Sequence, residues 1–326
     1  MKKIIEIFPK FHEVYFLKGR MALESYLSHY KDEINTVYIP SLTCKAIPNA
    51  MLKIDIPFEY YDVKRKDLIG DLESLEYGTV IIQGTLGILP KYSKVDQLMS
   101  KGLKVILDLS QCLYIDSDYF ANIQKFEFIF TSFQKNKPLG KSQGFGGVGL
   151  FKNEIPILKE KPTSSVFSVI QNNLIDILPS FVSRAVNHYI FKDDFYIDRD
   201  KVKRIDELKI HSEDSFDLKF FKEFYRCLES SELKIDSTLW SGYYLPIYVK
   251  DKKNFLKKSS SFQSYNWPIR ILSPFHGDLK DLMFPDSQIE NARYFAEHLM
   301  AMIVPKKDLD KKNLLEFIQK NKNLFL

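Results

Sequence analysis

The chain has 326 residues, of which 45% are hydrophobic, and its 47 Lys and Arg against 42 Asp and Glu give a formal net charge of +5. This length is enough for a sizeable core and suits one large domain with a smaller one. The basic residues are scattered and form only short runs, such as residues 64–66 and 306–307. We therefore expect a solvated, lysine-rich surface and no nucleic-acid partner.

The cysteines and histidines exclude further classes of protein. Cys44, Cys112 and Cys227 are odd in number and widely spaced, which indicates neither a disulfide framework nor a zinc site. The six histidines show no metal-ligand spacing, so we expect no metal. Residues 1–6 lack the apolar core of a signal peptide, and no uninterrupted apolar stretch approaches the ~20 residues of a membrane span. We expect a cytoplasmic protein with no membrane partner.

The first half of the chain alternates between two kinds of segment. A helix is predicted at residues 20–30, after a glycine. Short β-branched or aromatic runs predict strands at residues 36–39, 58–62, 79–83, 104–109, 127–132 and 147–151. Helices are predicted between them at residues 44–52, 67–75 and 93–101. Such alternation predicts right-handed crossovers and a mostly parallel sheet.

The second half follows another pattern. Residues 154–214 contain an apolar helix candidate at 166–182 and a charged stretch at 192–209, without a clear strand. After Trp240 we predict strands at 243–249, 269–272 and 301–304, with helices at 288–300 and 311–320. The prediction is therefore an α/β protein with two domains. A large mostly parallel sheet domain flanked by helices spans residues 1–214, and a smaller α+β domain spans residues 215–326.

Polar residues follow several of the predicted parallel strands. Asp108 follows a buried run with Gln111 three positions later, and Ser132 ends the next run with Lys137 five positions later. Ligands bind outside the carboxyl ends of such strands, so these side chains should converge on one edge. Taken singly, an Asp at a strand end often only caps the next helix, and a solvated surface position is the ordinary interpretation of a lysine.

Four segments carry a resemblance to a known family. They are Gly19-Arg20-Met21-Ala22-Leu23, Ile39-Pro40-Ser41-Leu42-Thr43, Asp108-Leu109-Ser110-Gln111 and Ser132-Phe133-Gln134-Lys135-Asn136-Lys137. Their order and approximate spacing resemble those of the DegT/DnrJ/EryC1/StrS family, which consists largely of sugar-nucleotide aminotransferases that depend on pyridoxal phosphate. The resemblance spans roughly residues 16–149 and implies the fold type I of pyridoxal-phosphate-dependent transferases.

The resemblance implies catalytic and ring-binding roles for three residues. Lys137 would be the Schiff-base lysine that carries pyridoxal 5'-phosphate and later shuttles a proton. Asp108 would lie against the ring nitrogen and keep it protonated, as an electron sink requires. Gln111 would lie near the phenolic oxygen of the ring.

The remaining contacts to the cofactor are implied in the same way. The turn before the helix at residues 20–30 would offer the backbone N–H groups of Met21 and Ala22 to the phosphate, and the Ser132 hydroxyl would add another donor. Cys44 occupies the position at which the family usually stacks an aromatic residue on the ring. We therefore expect Cys44 to contact the cofactor.

The function implied is an aminotransferase that moves an amino group, with glutamate as the expected donor, to a keto sugar nucleotide in polysaccharide or cell-surface sugar biosynthesis. The resemblance also implies a homodimer, because the family builds its sites from both subunits. Lys137 argues against the dehydratase branch of the family, in which this lysine is replaced.

Two alternatives stay open. The same cofactor supports other carbanion chemistry, such as elimination or racemisation. A catalytically inactive homologue acting as a binding or scaffold protein is the other. This second alternative is motivated by Cys44, by Phe145 where the family has Glu, and by the absence of its Gly-x-Asn-Tyr-Arg segment after Lys137.

Overall fold

The computed structural model describes residues 1–16, 18–44, 46–134, 137–140, 146–154, 216–228, 232–265 and 290–326. The strands are β1 (Lys2–Lys3), β2 (His12–Phe16), β3 (Val37–Pro40), β4 (Phe58–Tyr61), β5 (Thr79–Gln83), β6 (Lys104–Asp108), β7 (Tyr114–Ile115), β8 (Phe128–Ser132), β9 (Gly147–Phe151), β10 (Tyr244–Tyr248), β11 (Ser264–Tyr265) and β12 (Leu299–Ile303). The α-helices are α1 (Gly19–His29), α2 (Ala46–Lys53), α3 (Tyr92–Ser100), α4 (Ser117–Ala121), α5 (Leu218–Cys227), α6 (Lys252–Lys258), α7 (Glu290–His298) and α8 (Asp308–Lys320). Short 3-10 helices span Ile4–Lys10, Lys31–Glu33, Ile123–Lys125 and Lys322–Leu324.

A seven-stranded sheet organises the first half of the chain, in the order β2-β9-β8-β6-β5-β3-β4. The neighbouring pairs from β8 to β4 are parallel, whereas β9 is antiparallel to both β8 and β2. Six strands therefore run in one direction and β9 runs against them. The predicted α/β fold with a mostly parallel sheet is confirmed.

Helices cover both faces of this sheet. Successive side chains of a strand point to opposite faces, so each central strand contributes to the cores on both sides. In β5, Ile81 packs into a core with α1 and α2, while Val80 and Ile82 pack into a second core with α3. All five residues of β5, β8 and β9 are buried. Strands buried on both faces form continuous apolar runs, which explains why these segments could be recognised from the sequence.

The C-terminal part of the chain forms a smaller antiparallel sheet in the order β10-β12-β11. Met300 and Met302 of β12 pack with α5, α6 and α8, whereas Leu299 and Ala301 join the core of the large sheet. Successive residues of β12 thus pack alternately into the core of the large sheet and into the core of the smaller unit. The proposed domain boundary after residue 214 lies at the edge of the undescribed residues 155–215 and stays a proposal.

Backbone hydrogen bonds also connect the two units at residues 239–241. Leu89 N–H donates to the Leu239 carbonyl at 3.3 Å, Ser241 N–H donates to the Gly87 carbonyl at 2.8 Å, and Tyr114 N–H donates to the Ser241 carbonyl at 3.2 Å. The segment therefore lies directly beneath the loop that follows β5.

The structure differs from the sequence predictions at several places. The predicted helix at residues 67–75 is wrong: Leu68 has a φ of 60°, and the segment folds back through bonds from Lys64 N–H to the Ile69 carbonyl at 2.9 Å and from Asp71 N–H to the Asp62 carbonyl at 2.7 Å. The edge strand β2 was not predicted. The helix predicted at 288–300 ends at residue 298, and β12 begins at residue 299. The predictions at residues 166–182, 192–209 and 269–272 lie outside the described residues.

Candidate active site

The carboxyl ends of the central strands bring the predicted polar residues to one edge of the sheet. In the parallel ladders, Gln83 at the end of β5 lies opposite Asp108 at the end of β6, and Asp108 lies opposite Phe130 in β8. Ser132 therefore comes two residues beyond the level of Asp108, at the same edge. This arrangement follows from parallel pairing, which places all strand ends on one side.

Asp108 is a buried carboxylate, with 5% of its surface exposed. Its Oδ1 accepts a hydrogen bond from the Ser110 N–H at 2.8 Å, in a turn that directly follows β6. Burial raises the pKa of Asp108, while hydrogen bonds from Ser110 and the charge of Lys137 oppose that rise. The charge of an amine thus acts on a buried carboxylate at the sheet edge.

Lys137 lies in a short turn after β8. Its N–H donates to the Gln134 carbonyl at 2.8 Å, and its carbonyl accepts from the Gly140 N–H at 2.9 Å. Burial of the amine lowers the pKa of Lys137, although Cys44 and Asp108 act in the opposite direction. An amine with a lowered pKa is neutral in a larger fraction of molecules, which makes it a better nucleophile than a solvated lysine.

Gln111 has a structural contact that the sequence did not indicate. Its side chain is 3% exposed, and its Oε1 accepts from the Leu86 N–H at 2.6 Å. Leu86 has a φ of 49° and Gly87 a φ of 80°, so two successive residues adopt the left-handed conformation. Gln111 therefore holds the strained turn after β5 through its side-chain oxygen.

The first turn of α1 packs closely against the end of β8. A Cβ added to Gly19 would lie 2.8 Å from the Thr131 carbonyl oxygen and 3.1 Å from the Ser132 Cβ. The positive end of the helix dipole thus lies close to Ser132, an arrangement that suits an anion. The Met21 N–H already donates to the Lys18 carbonyl at 3.0 Å, so a phosphate would compete with that bond. Ala22, in the same turn, is fully buried.

Cys44 is partly buried at the end of a loop, and the buried side-chain amide of Gln83 holds this loop in place. Thr43 Oγ1 donates to Gln83 Oε1 at 2.6 Å, and Gln83 Nε2 donates to the Leu42 carbonyl at 3.2 Å and to Thr85 Oγ1 at 3.1 Å. The structure therefore brings Cys44 to the same edge as Lys137. Gln83 was not selected from the sequence, and its place at a strand end was the one available signal.

Replacing Gly19 by alanine should lower both the stability of the protein and its affinity for a phosphate-bearing ligand. The added Cβ would meet the backbone oxygen of Thr131 at 2.8 Å, so α1 must shift away from β8. Overpacking of this kind costs about 1–3 kcal/mol. Thermal unfolding and ligand titration measure the two effects. Ser28→Ala, at the far end of the same helix, is the control, because it adds helix propensity without approaching Thr131.

Equal stability and affinity in Gly19→Ala and the wild type would contradict this close approach.

Comparisons with known proteins bear on the fold. A search of protein-family profiles finds no match to this sequence, and a search of curated proteins finds none. Solved structures do match. A DegT DnrJ EryC1 StrS aminotransferase from Brucella abortus has a TM-score of 0.62 at 13% identity, covering 97% of this chain and 87% of its own. DesV from S. venezuelae has a TM-score of 0.63 at 13% identity, covering 95% and 84%.

The chain has the fold of these aminotransferases. A third structure with this fold is a variant of the GDP-4-keto-6-deoxymannose-3-dehydratase ColD with bound GDP-perosamine, at a TM-score of 0.60 and 11% identity, covering 96% of this chain and 89% of its own. An aminotransferase and a dehydratase thus share one architecture. Because fold does not determine the reaction, the residues at the sheet edge must carry the functional argument.

Across the described ranges, no group of three His, Cys, Asp or Glu side chains is arranged to hold a metal ion. Within the same part of the chain, no helix is both long and apolar enough to cross a membrane.

Proposed function

We propose that the protein is a pyridoxal-phosphate-dependent aminotransferase that moves an amino group from glutamate to a keto sugar carried by a nucleotide. The observation that carries the proposal is that Lys137 and the buried Asp108 carboxylate lie at the same carboxyl edge of the sheet, where the charge of each affects the pKa of the other. A reactive amine and a buried carboxylate are the two groups that a phosphorylated pyridine aldehyde needs for covalent attachment and for ring protonation.

The remaining groups of the site suit the rest of such a molecule. The Ser132 hydroxyl beside the first turn of α1 suits a phosphate, and the close approach at Gly19 brings that turn near the strand end. The amino group of the Gln111 side chain is a hydrogen-bond donor and suits a phenolic oxygen. Cys44, with its polarisable sulfur, would contact the ring in place of an aromatic residue. We propose Met21 and Ala22 as the backbone contacts to the phosphate.

Bound in this site, the cofactor would supply an electron sink for charge that develops on the substrate carbon. The protein residues would supply the rest. Asp108 would hold a proton on the ring nitrogen, and the Lys137 Nζ would move a proton between the substrate carbon and the neighbouring carbon of the cofactor. A solvated lysine must first lose its own proton before it can accept another. Because burial lowers the pKa of Lys137, a larger fraction of its amine would already be unprotonated and able to accept that proton.

The class of substrate is supported by the structures that share this fold. They include the Brucella abortus aminotransferase and the dehydratase crystallised with GDP-perosamine. By this analogy we propose a nucleotide sugar as the acceptor, in polysaccharide or cell-surface sugar biosynthesis. We further propose a homodimer that works in the cytoplasm.

The test follows the amino group. Protein loaded with pyridoxal phosphate is expected to show a visible absorbance band, and glutamate should bleach it while an equimolar amount of 2-oxoglutarate appears. Glutarate, which has both carboxylates of glutamate but no amino group, should leave the band unchanged. A band that persists with glutamate and with other amino acids would contradict transamination and favour elimination or racemisation. A protein that never forms the band would favour the inactive homologue.

A further inference from the structure

Side-chain hydrogen bonds hold the loop that carries Cys44 from two directions. The loop lies between β3 and α2. Toward the sheet, Thr43 Oγ1 donates to Gln83 Oε1 at 2.6 Å. At the start of the loop, the buried Ser41 hydroxyl donates to Asp62 Oδ1 at 3.1 Å. The position of the Asp62 carboxylate therefore helps to determine the path of the loop.

Asp62 is itself held by a helix from the C-terminal part of the chain. Its Oδ1 also accepts the Val63 N–H at 2.8 Å, and its Oδ2 accepts from Asn291 Nδ2 at 2.6 Å. Asn291 lies in α7, 229 residues further along the chain. One oxygen of Asp62 thus contacts the Cys44 loop while the other contacts α7.

The amide of Asn291 has one favourable orientation, because its oxygen contacts a cation. Asn291 Oδ1 accepts from Arg65 Nε at 2.6 Å, and the Arg65 guanidinium lies 4.3 Å from the centroid of the Tyr294 ring. Asn291 and Tyr294 are three positions apart and so share a face of α7. A reversed amide would direct its nitrogen at the guanidinium and its oxygen at the carboxylate, and would lose both hydrogen bonds.

We propose that Asn291 is a positioning residue that fixes the Cys44 loop by joining Asp62 to α7, so that the C-terminal part of the chain helps to shape the candidate site. This connection requires no cofactor, whereas its effect on the contact between Cys44 and the ring rests on the proposed function. Loss of the connection should allow the loop to open locally, which exposes its side chains to reagents in solution. A role in overall stability alone would expose the buried core as well.

The experiment measures how fast individual thiols react with N-ethylmaleimide in the full-length, cofactor-free protein. Peptide mapping by mass spectrometry follows each cysteine separately. Cys44 is partly buried and reports on the loop, whereas Cys112 is fully buried in the core of the large sheet and reports on wider opening.

The variants exchange the donor and the acceptor of one hydrogen bond. Asn291→Asp directs a carboxylate at a carboxylate, and Asp62→Asn directs an amide nitrogen at an amide nitrogen. The two substitutions together restore a donor facing an acceptor and leave the net charge unchanged. Asn321→Asp is the matched control, because Asn321 Nδ2 donates to the Phe317 carbonyl at 2.8 Å elsewhere in the C-terminal part.

We expect each single variant, Asn291→Asp and Asp62→Asn, to label Cys44 about tenfold faster than the wild type, the effect of losing one hydrogen bond to a charged group. Labelling of Cys112 should not change. The double variant should return the Cys44 rate to within about twofold of the wild type. Asn321→Asp should leave the Cys44 rate unchanged. Asn291→Ala removes the bond without repulsion and replaces Asn291→Asp if that variant does not fold.

Three results would overturn the inference. They are an unchanged Cys44 rate in the single variants, an equal acceleration of Cys44 and Cys112, and a double variant that labels as fast as the single ones. The proposed function is tested separately by the visible band of the wild type with pyridoxal phosphate. A wild type that never forms this band would overturn the proposed function but leave the connection from α7 to the loop in place.

Discussion

Lys137→Ala is expected to abolish the visible absorbance band that the protein forms with pyridoxal phosphate. The band requires a covalent bond from an amine, and burial lowers the pKa of the Lys137 amine at the sheet edge that carries Asp108. The band of the wild type should also form at a lower pH than the reaction of a solvated lysine, whose pKa is about 10.4. Absorbance spectra of the two proteins across a pH series measure both effects.

A chain with this many lysines needs a control for unspecific reaction. Lys94→Ala removes an exposed lysine that pairs with Glu73 at 2.8 Å, and this variant should keep the full band. Borohydride reduction of the loaded wild type, followed by peptide mapping, should locate the label on the peptide that contains Lys137. A label elsewhere, or a band that survives in Lys137→Ala, would remove Lys137 from the proposed mechanism.

Asp108→Asn is expected to weaken binding of pyridoxal phosphate by about 2–5 kcal/mol, the cost of removing one partner of a buried charge pair. This corresponds to roughly 30- to several-thousand-fold in the dissociation constant. The amide keeps the size of the side chain and can still accept the Ser110 N–H, so the turn after β6 should persist. Fluorescence titration with the cofactor measures the affinity, and thermal unfolding of the cofactor-free protein checks the fold.

Asp116→Asn is the matched control for this prediction. Asp116 caps α4 by accepting the Asp118 N–H at 2.8 Å and the Tyr119 N–H at 3.0 Å, a role that Asn fills nearly as well. Its variant should therefore retain both stability and cofactor affinity. If Asp108→Asn also retained wild-type affinity, Asp108 would only stabilise the turn after β6 and would have no role in binding the cofactor.

The strands of the large sheet were predictable because burial on both faces produces runs of apolar residues that are visible in the sequence. The strand at Thr79–Gln83 and the strand at Gly147–Phe151 have the predicted bounds. Strand β2 was missed because it lacks this burial on both faces. It lies at the edge of the sheet and is mostly only partly buried, so its residues, His12 to Phe16, show no apolar run.

The helix predicted at residues 67–75 shows where local pattern fails. The segment has suitable apolar spacing, yet its backbone is paired with residues 62–64. Leu68 adopts a φ of 60°, which no helix allows. Backbone hydrogen bonds to the residues after β4 stabilise an irregular turn and outweigh the local helical preference. The sequence of the segment itself does not indicate this pairing.

By itself, the sequence determined the α/β class, the direction of most strands, and the convergence of Asp108 and Ser132 on one edge, because parallel pairing makes strand ends coincide. Only the tertiary structure decided how those residues are held. Gln111 reaches Leu86 across 25 residues, and Thr43 reaches Gln83 across 40. Each buried polar group needs a partner, and that partner is chosen by proximity in the folded chain rather than by spacing along it.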